Sequence, residues 1–100
     1  MELKHEDGRF FYEENDKLVG EITYSKVKDG VISLDHTYVD DVYRGQGIAG
    51  KLLNAALDFA DLKGLKIVPV CEYAKAAFER DPKIRFLLTE NYQELLKGEK

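Results

Sequence analysis

The most informative segment of this 100-residue chain is Tyr43-Arg44-Gly45-Gln46-Gly47-Ile48-Ala49-Gly50-Lys51. It places three glycines and an alanine between a segment with the alternation of a β-strand and a segment with the periodicity of an α-helix. Small residues let the backbone approach a ligand closely, and the first N–H groups of a helix attract anions. The segment therefore predicts a loop that binds a phosphate or pyrophosphate group.

The residues before this loop predict a three-stranded antiparallel meander. Three runs show strand-like composition or alternation, and turn-forming dipeptides separate them. The predicted strands span residues 9–14, 17–28 and 31–41, and the turns between them are Asn15-Asp16 and Asp29-Gly30.

Strict alternation along the third predicted strand places Ile32, Leu34, His36 and Tyr38 on one face. Because that face is mainly apolar, a buried core position is the default expectation for His36. An imidazole titrates near neutral pH, so His36 is also kept as a candidate general base.

Beyond the loop the sequence predicts a βαβ unit followed by a C-terminal helix. The predicted elements are a helix over residues 48–63 capped by Gly64, a strand over residues 65–71, a second helix over residues 73–80 and a helical or irregular segment over residues 84–96. The strand at 65–71 is a nearly continuous apolar run, which is typical of a buried strand parallel to its neighbour. The chain is therefore predicted to form a single α+β domain over residues 1–100.

Composition and charge favour an ordinary globular protein, with 44% apolar and 34% charged residues. The net charge of −4 gives no overall attraction to nucleic acid or to an anionic membrane, and we expect neither as a partner. No segment resembles a secretory signal or a membrane span, so we expect a cytoplasmic protein. Cys71 is the only cysteine and there are two histidines, so we expect no metal site.

Three known motifs overlap in the glycine loop, and all hold a phosphate at a helix start. Residues 45–50 match the dinucleotide motif G-x-G-x-x-G, residues 45–51 match the G-x-x-x-x-G-K part of the NTPase phosphate loop, and residues 44–49 match the R-x-x-G-x-A motif of acyl-CoA-dependent acetyltransferases. An NTPase needs a Ser or Thr hydroxyl for magnesium where this chain has Leu52. The dinucleotide motif follows the first strand of a doubly wound sheet, whereas a meander precedes it here. Both alternatives therefore rank below the acetyltransferase motif.

The chain resembles the Gcn5-related N-acetyltransferases, in particular their very small single-domain members. The resemblance covers residues 31–88 and is carried by residues 37–49, 66–71 and 74–82. It implies a minimal acetyltransferase-like fold that binds acetyl-CoA or coenzyme A, with strands 31–41 and 65–71 separating to admit the thioester. The residues that the resemblance assigns to cofactor binding are Val39, Arg44, Gly45, Gln46, Gly47, Ile48, Ala49, Gly50 and Lys75.

Acetyl transfer needs a deprotonated amine, stabilisation of an oxyanion and a proton for the departing thiolate. Larger members of the family often supply that proton from a tyrosine, but Phe78 stands near the corresponding position in this chain. Cys71 and Tyr73 are therefore the candidate catalytic residues together with His36, because a helix start next to a thiol favours the thiolate. A lone cysteine at a strand end is also compatible with a small buried apolar side chain.

The resemblance implies an enzyme that moves an acetyl group from acetyl-CoA to an amine of a small molecule or a protein. We expect the chain to be a monomer or a weak homodimer. The missing tyrosine leaves a second function open, a non-catalytic module that binds or senses CoA or acyl-CoA. A protein-interaction scaffold is a third alternative.

Overall fold

A computed structural model describes residues 1–98 and shows a mixed α+β fold built on one five-stranded sheet. In chain order the elements are β1 (Lys4–Glu6), β2 (Arg9–Glu14), β3 (Lys17–Lys28), β4 (Val31–Val39), a 3-10 helix (Asp41–Tyr43), α1 (Ile48–Lys63), β5 (Lys66–Pro69), α2 (Glu72–Arg80), a second 3-10 helix (Pro82–Leu87) and α3 (Glu90–Gly98). The predicted α+β class is confirmed. The last two positions of the predicted domain lie outside the described residues, and its status as a single domain stays a prediction.

The sheet has the order β1-β2-β3-β4-β5, with β1 to β4 antiparallel and β5 parallel to β4. The antiparallel part thus has four strands, whereas the sequence predicted three. The strand that was missed, β1, pairs Lys4 with Phe11 and Glu6 with Arg9. All three residues of β1 are exposed and polar, so the segment lacks the apolar alternation that identifies a strand from sequence.

A β-bulge in β4 changes which of its residues face the helices. Thr23 of β3 pairs with His36, whereas the next residue of β3 pairs with Leu34, so Asp35 is an extra residue without a partner. One extra residue reverses the alternation of faces beyond it. Leu34 is fully buried, but His36 is exposed. The predicted core position of His36 is therefore wrong, because the alternation was extended through the bulge.

Helix α1 packs its apolar side against the sheet and begins and ends as the sequence predicted. Its buried residues are Ile48, Leu52, Leu53, Ala56, Leu57 and Ala60. Gly64 ends the helix in the left-handed conformation, with φ of 69°, and its N–H donates to the carbonyl of Ala60. A residue with a side chain would be strained at this backbone conformation, which explains the glycine.

Gly50 lies in the first turn of α1, and replacing it with alanine tests how closely α1 approaches Tyr73. A β-carbon there would meet the Tyr73 hydroxyl as its nearest neighbour at 3.8 Å, an ordinary contact. Glycine within a helix costs about 0.5–1 kcal/mol relative to alanine, so we expect Gly50→Ala to raise the free energy of unfolding by about 0.5 kcal/mol. Urea unfolding followed by circular dichroism measures this change. A lower free energy of unfolding would contradict the distance to Tyr73.

Strand β5 is shorter than predicted and α2 begins earlier. The N–H groups of Val70 and Cys71 both donate to the carbonyl of Leu34, at 2.9 and 3.0 Å, because the chain turns there from the sheet into α2. The predicted strand over 65–71 is therefore reduced to Lys66–Pro69, and the predicted helix over 73–80 starts at Glu72. The sequence pattern could not locate this turn because Val70 and Cys71 are themselves suited to a strand.

The C-terminal part contains two helices that overlap the region predicted as helical or irregular, residues 84–96, and extend beyond both of its ends. Asp81 caps the 3-10 helix through a hydrogen bond from the N–H of Lys83 at 3.0 Å. Between this helix and α3, Leu88 forms a parallel bridge with Ile67, and the Thr89 N–H donates to Ile67 at 3.1 Å. Residues 88–89 thus form a short extended segment beside β5 before α3 begins. Among residues 1–98 there is no helix long and apolar enough to cross a membrane.

Candidate functional site

A gap opens where β4 and β5 part. Their parallel pairing ends at Leu34 and Pro69, whereas β4 continues along β3 until Val39 pairs with Gly20. Among the described residues 1–98, no strand therefore lies beside this edge of β4 beyond Leu34. At the base of the gap, the Oγ1 of Thr37 lies 3.4 Å from the Sγ of Cys71. The gap exposes backbone hydrogen-bonding groups of β4, which a ligand with an extended amide chain can use.

The glycine loop lies at the open end of this gap and leads into α1. Gly45 and Gly47 have φ of 82° and 77°, the left-handed region that favours glycine. Gly47 is the N-cap of α1 and provides no side-chain cap, and the first helical hydrogen bond runs from the Lys51 N–H to Gly47 at 3.1 Å. Within residues 1–98, the N–H groups of residues 48–50 have no protein acceptor. The loop therefore presents a set of free donors at the positive end of the helix dipole.

A pocket of about 340 Å³ joins the loop to the gap. Its wall includes seven of the nine residues that the sequence assigned to cofactor binding, namely Val39, Arg44, Gly45, Gly47, Ile48, Ala49 and Gly50. Thr37, Tyr43 and Tyr73 complete the wall. Gln46 belongs to the loop but is exposed and is not part of the wall. The size and the mixed polar and apolar lining suit a small organic ligand with an anionic group.

The structure does not bring Lys75 to this pocket. Its ammonium lies 3.4 Å from the carboxylate of Glu72 in the preceding turn of α2. The side chain borders a different pocket of about 150 Å³ between α2 and α3, lined also by Phe78 and Tyr92. The assignment of Lys75 to phosphate binding stays a prediction without support from its placement.

Cys71 and Tyr73 lie together at the start of α2. Cys71 is the N-cap of that helix and is half-buried, and its Sγ accepts a hydrogen bond from the Ala74 N–H at 3.4 Å. Tyr73 is half-buried and forms part of the pocket wall. Phe78 is 1% exposed and packs in the core, so its place in α2 is structural. His36 lies beyond the bulge on the exposed strand positions, away from the Thr37 side that meets Cys71.

The family model that matches this chain is described as GCN5-related N-acetyl-transferase, and it covers residues 9–87. The chain belongs to the GCN5-related N-acetyltransferase family. The resemblance noted in the sequence is therefore confirmed, and the fold and loop described above are those of a small member of this family.

Relatives of this acetyltransferase-family chain include proteins named NATD1. Those of Gallus gallus and Homo sapiens are each 38% identical to it over 66 residues, which is 66% of this chain. The same stretch is 60% of the Gallus gallus protein and 58% of the Homo sapiens protein, so less than two thirds of these relatives is matched. Their names state no substrate.

Solved structures of the family show the same fold. A GCN5-like protein from Staphylococcus aureus, determined by NMR, is 32% identical, with a TM-score of 0.74 over 88% of this chain and 87% of its own. A ribosomal-protein-alanine N-acetyltransferase from Brucella melitensis has a TM-score of 0.58 at 23% identity, over 72% of this chain and 59% of its own. An aminoglycoside N-acetyltransferase in complex with CoA has a TM-score of 0.52 at 16% identity, over 76% and 64%. The last two identities are low, so these likenesses concern the fold alone.

The bulge explains why the sequence missed Thr37 as a residue of the pocket. Thr37 lies in the pocket, although strict alternation placed it opposite Ile32 and Leu34. Tyr43 also lines the pocket, whereas Tyr38 is 38% exposed and is not part of its wall. A bulge has no reliable signature in a single sequence, because it depends on how two strands pair. Only the pairing of β3 with β4 shows that Thr37 faces the ligand side.

Two side chains anchor the connection between β4 and the loop. Asp40 is buried and accepts a hydrogen bond from the Val42 N–H at 3.0 Å, and this bond together with Lys17 at 3.3 Å holds the pKa of Asp40 below its usual value. The Tyr43 hydroxyl donates to Glu14, and this hydrogen bond raises the pKa of Tyr43. Both contacts come from outside the loop and favour one conformation of the segment before the glycines.

The lowered pKa of Asp40 predicts how stability depends on acid. The folded pKa lies below the ordinary value of 3.8, so the ionised carboxylate stabilises the fold above that pH, and this contribution is lost as the pH falls through the folded pKa. We expect the free energy of unfolding of Asp40→Asn to differ from that of the original chain more at about pH 6 than at about pH 2.5. Urea titrations at both pH values measure this, with the exposed Asp58→Asn on α1 as the control. An equal difference at both pH values would contradict the shift.

Proposed function

We propose that this protein is an acyltransferase that moves an acetyl group from acetyl-CoA to an amine. One observation carries the proposal: the free N–H groups at the start of α1 lie in the same pocket as the unpaired edge of β4 and Tyr73. A pyrophosphate fits the donors of residues 48–50, since no side chain at Gly47 competes for them. An amide-containing arm fits the unpaired edge of β4 around Val39. Acetyl-CoA combines both groups and supplies an activated acyl group as a thioester.

In this proposal, different residues of the chain bind acetyl-CoA and donate the proton. The loop N–H groups bind the pyrophosphate, and Val39 holds the arm so that the thioester is directed toward the base of the gap. Thr37 and Cys71 stand at that base, with their hydroxyl and thiol groups 3.4 Å apart. Tyr73 carries a hydroxyl on the pocket wall. Because a departing thiolate needs a proton, we assign this proton to the Tyr73 hydroxyl or the Cys71 thiol.

Cys71 has a second candidate role, as a covalent carrier of the acetyl group. Cys71 is a half-buried thiol at the base of the gap, so it can act as a nucleophile that carries the acetyl group before the amine attacks. In that route the acetyl group passes from the CoA sulfur to the Cys71 sulfur, and the CoA thiolate takes up the proton released from Cys71. The neutral amine then attacks acetyl-Cys71, the C–S bond breaks, and the proton lost by the amine returns to the Cys71 sulfur. The acceptor is a small-molecule or protein amine.

Turnover and intact-protein mass test this function. We expect acetyl-CoA consumption with at least one member of a panel of amines and peptides, and about a hundredfold lower kcat for Cys71→Ala, with CoA affinity changed by less than about twofold. The kcat of Tyr73→Phe shows whether the Tyr73 hydroxyl, and not the Cys71 thiol, donates the proton to the departing thiolate. Tyr38→Phe on the exposed face is the matched control. An acetyl adduct that persists in Cys71→Ala would exclude the thiol as the carrier. Affinity for CoA no higher than for ATP or NAD would overturn the proposal as a whole.

A second function is favoured by Phe78. The core position of this side chain, without a hydroxyl, suits a module that binds CoA or acyl-CoA and does not turn it over. Tight binding of CoA with no acetyl transfer to any amine of the panel would support this module. Turnover that depends on Cys71 or Tyr73 would exclude it.

A further inference from the structure

Two charged side chains at the tip of the β2–β3 hairpin reach the segment that carries the glycine loop. Glu14 and Lys17 are paired across the turn, and the two residues between them have φ of 52° and 62°. This left-handed two-residue turn matches the twist of a β-hairpin and gives its tip a defined shape. The hairpin tip therefore has a defined backbone conformation, from which both side chains extend.

The contacts of this tip are made with the two ends of one short helix. The Tyr43 hydroxyl donates a hydrogen bond to Glu14, and the Nζ of Lys17 lies 3.3 Å from the Oδ2 of Asp40. Asp40 is the N-cap of the 3-10 helix Asp41–Tyr43, and Tyr43 is its last residue. The backbone N–H of Asp40 also donates to Val19 at 2.8 Å. The segment is thus fixed at both ends by β3 and the hairpin tip.

The glycines that follow have little to hold them in place. A β-carbon at Gly45 or Gly47 would meet nothing within 4 Å, so neither residue is packed against the rest of the fold. Glycine loses more backbone entropy on ordering than any other residue. Ordering such a loop when a ligand binds reduces affinity, unless the flanking segments already restrict it. Tyr43 is both a flanking residue and part of the pocket wall.

We propose that Glu14 and Lys17 are positioning residues that pre-order the anion-binding loop through Tyr43 and Asp40. This inference rests on the proposed binding of CoA at that loop. Neither side chain lines the pocket, so any effect on the ligand passes through the 3-10 helix. The hairpin tip therefore influences binding without touching the ligand.

Variants of Glu14 and Tyr43 test this coupling by calorimetric titration with CoA. We expect about five- to tenfold weaker binding for Glu14→Ala and for Tyr43→Phe, and no further loss in the double variant, because one hydrogen bond is removed in each case. Glu14→Gln keeps an acceptor oxygen and should restore affinity to within about twofold. Lys17→Met should weaken binding by about threefold and Lys17→Arg should not. In turnover, Glu14→Ala and Lys17→Met should raise the KM for acetyl-CoA and leave kcat unchanged, because neither side chain lines the pocket.

Glu13→Ala is the matched control, since Glu13 pairs with Lys4 at 3.2 Å on the same hairpin but away from the loop. It should leave CoA affinity unchanged. The second measurement is amide hydrogen exchange without ligand at Tyr43, Arg44 and Lys51, whose N–H groups donate to the carbonyls of Asp40, Asp41 and Gly47. Exchange at these positions should be faster in Glu14→Ala than in the original chain or the control. Unchanged exchange overturns the inference whether or not CoA binds. Faster exchange with no CoA binding by the original chain would support the positioning role and reject the proposed function.

Discussion

Replacing Gly47 with glutamate should weaken CoA binding by about a hundredfold, which corresponds to about 2.7 kcal/mol. Gly47 has φ of 77°, so any side chain adds strain of about 1 kcal/mol to the bound loop conformation. The carboxylate also adds negative charge at the helix start where the pyrophosphate is proposed to bind, and like charges at that distance repel. Calorimetric titration with CoA measures the loss.

Gly30 provides a matched control for this substitution. It has φ of 78° in the β3–β4 turn, and a β-carbon there would also meet nothing within 4 Å. Gly30→Glu therefore introduces the same strain and the same charge far from the loop, and CoA affinity should be unchanged. Wild-type affinity in Gly47→Glu would show that the pyrophosphate does not bind at this loop. An equal loss in both variants would indicate a general effect on folding.

Replacing Gly20 with valine should have the largest effect on stability. Gly20 is buried in β3, and a β-carbon there would lie 3.0 Å from the Tyr38 carbonyl oxygen and 3.1 Å from the Ile48 Cγ2. The carbonyl belongs to the neighbouring strand and cannot move without disturbing the β3–β4 pairing, so α1 would have to move away from the sheet. Overpacking of this kind costs about 1–3 kcal/mol, and valine adds two further methyl groups. We expect a loss of about 3–4 kcal/mol in the free energy of unfolding.

Urea unfolding of a graded series checks this expectation. Gly20→Ala should lose less than Gly20→Val, because alanine adds only the β-carbon. Thr23→Val introduces the same side chain on the other face of β3, where it does not contact α1. Its effect on the free energy of unfolding should stay within about 0.5 kcal/mol. Equal stability of Gly20→Val and the original chain would contradict the close approach of α1 to β3. Because Ile48 begins α1, a folded Gly20→Val variant should also bind CoA more weakly.

The elements with a strong periodic pattern were predicted well. The apolar stripe of α1 and its Gly64 cap gave both ends of that helix correctly, because a long amphipathic helix repeats its signal over several turns. The glycine loop was located for a similar reason, since few backbones need several glycines before a helix. Short elements were predicted poorly. The exposed strand β1 has no apolar residue to reveal it, and the turn at Val70 looks like a continued strand.

The amino-acid sequence by itself determined the order of the main elements, the position of the glycine loop at residues 44–51 before α1 and the absence of a hydroxyl at Phe78. These depend on local composition and spacing, which the chain carries without its fold. Only the tertiary structure decided the faces of β4. The Asp35 bulge arises from the pairing with β3, and it turns Thr37 toward Cys71 and leaves His36 exposed. The contacts of Glu14 and Lys17 with Tyr43 and Asp40, in the segment before the loop, also needed the fold, because they join residues that are distant along the chain and meet only when the sheet forms.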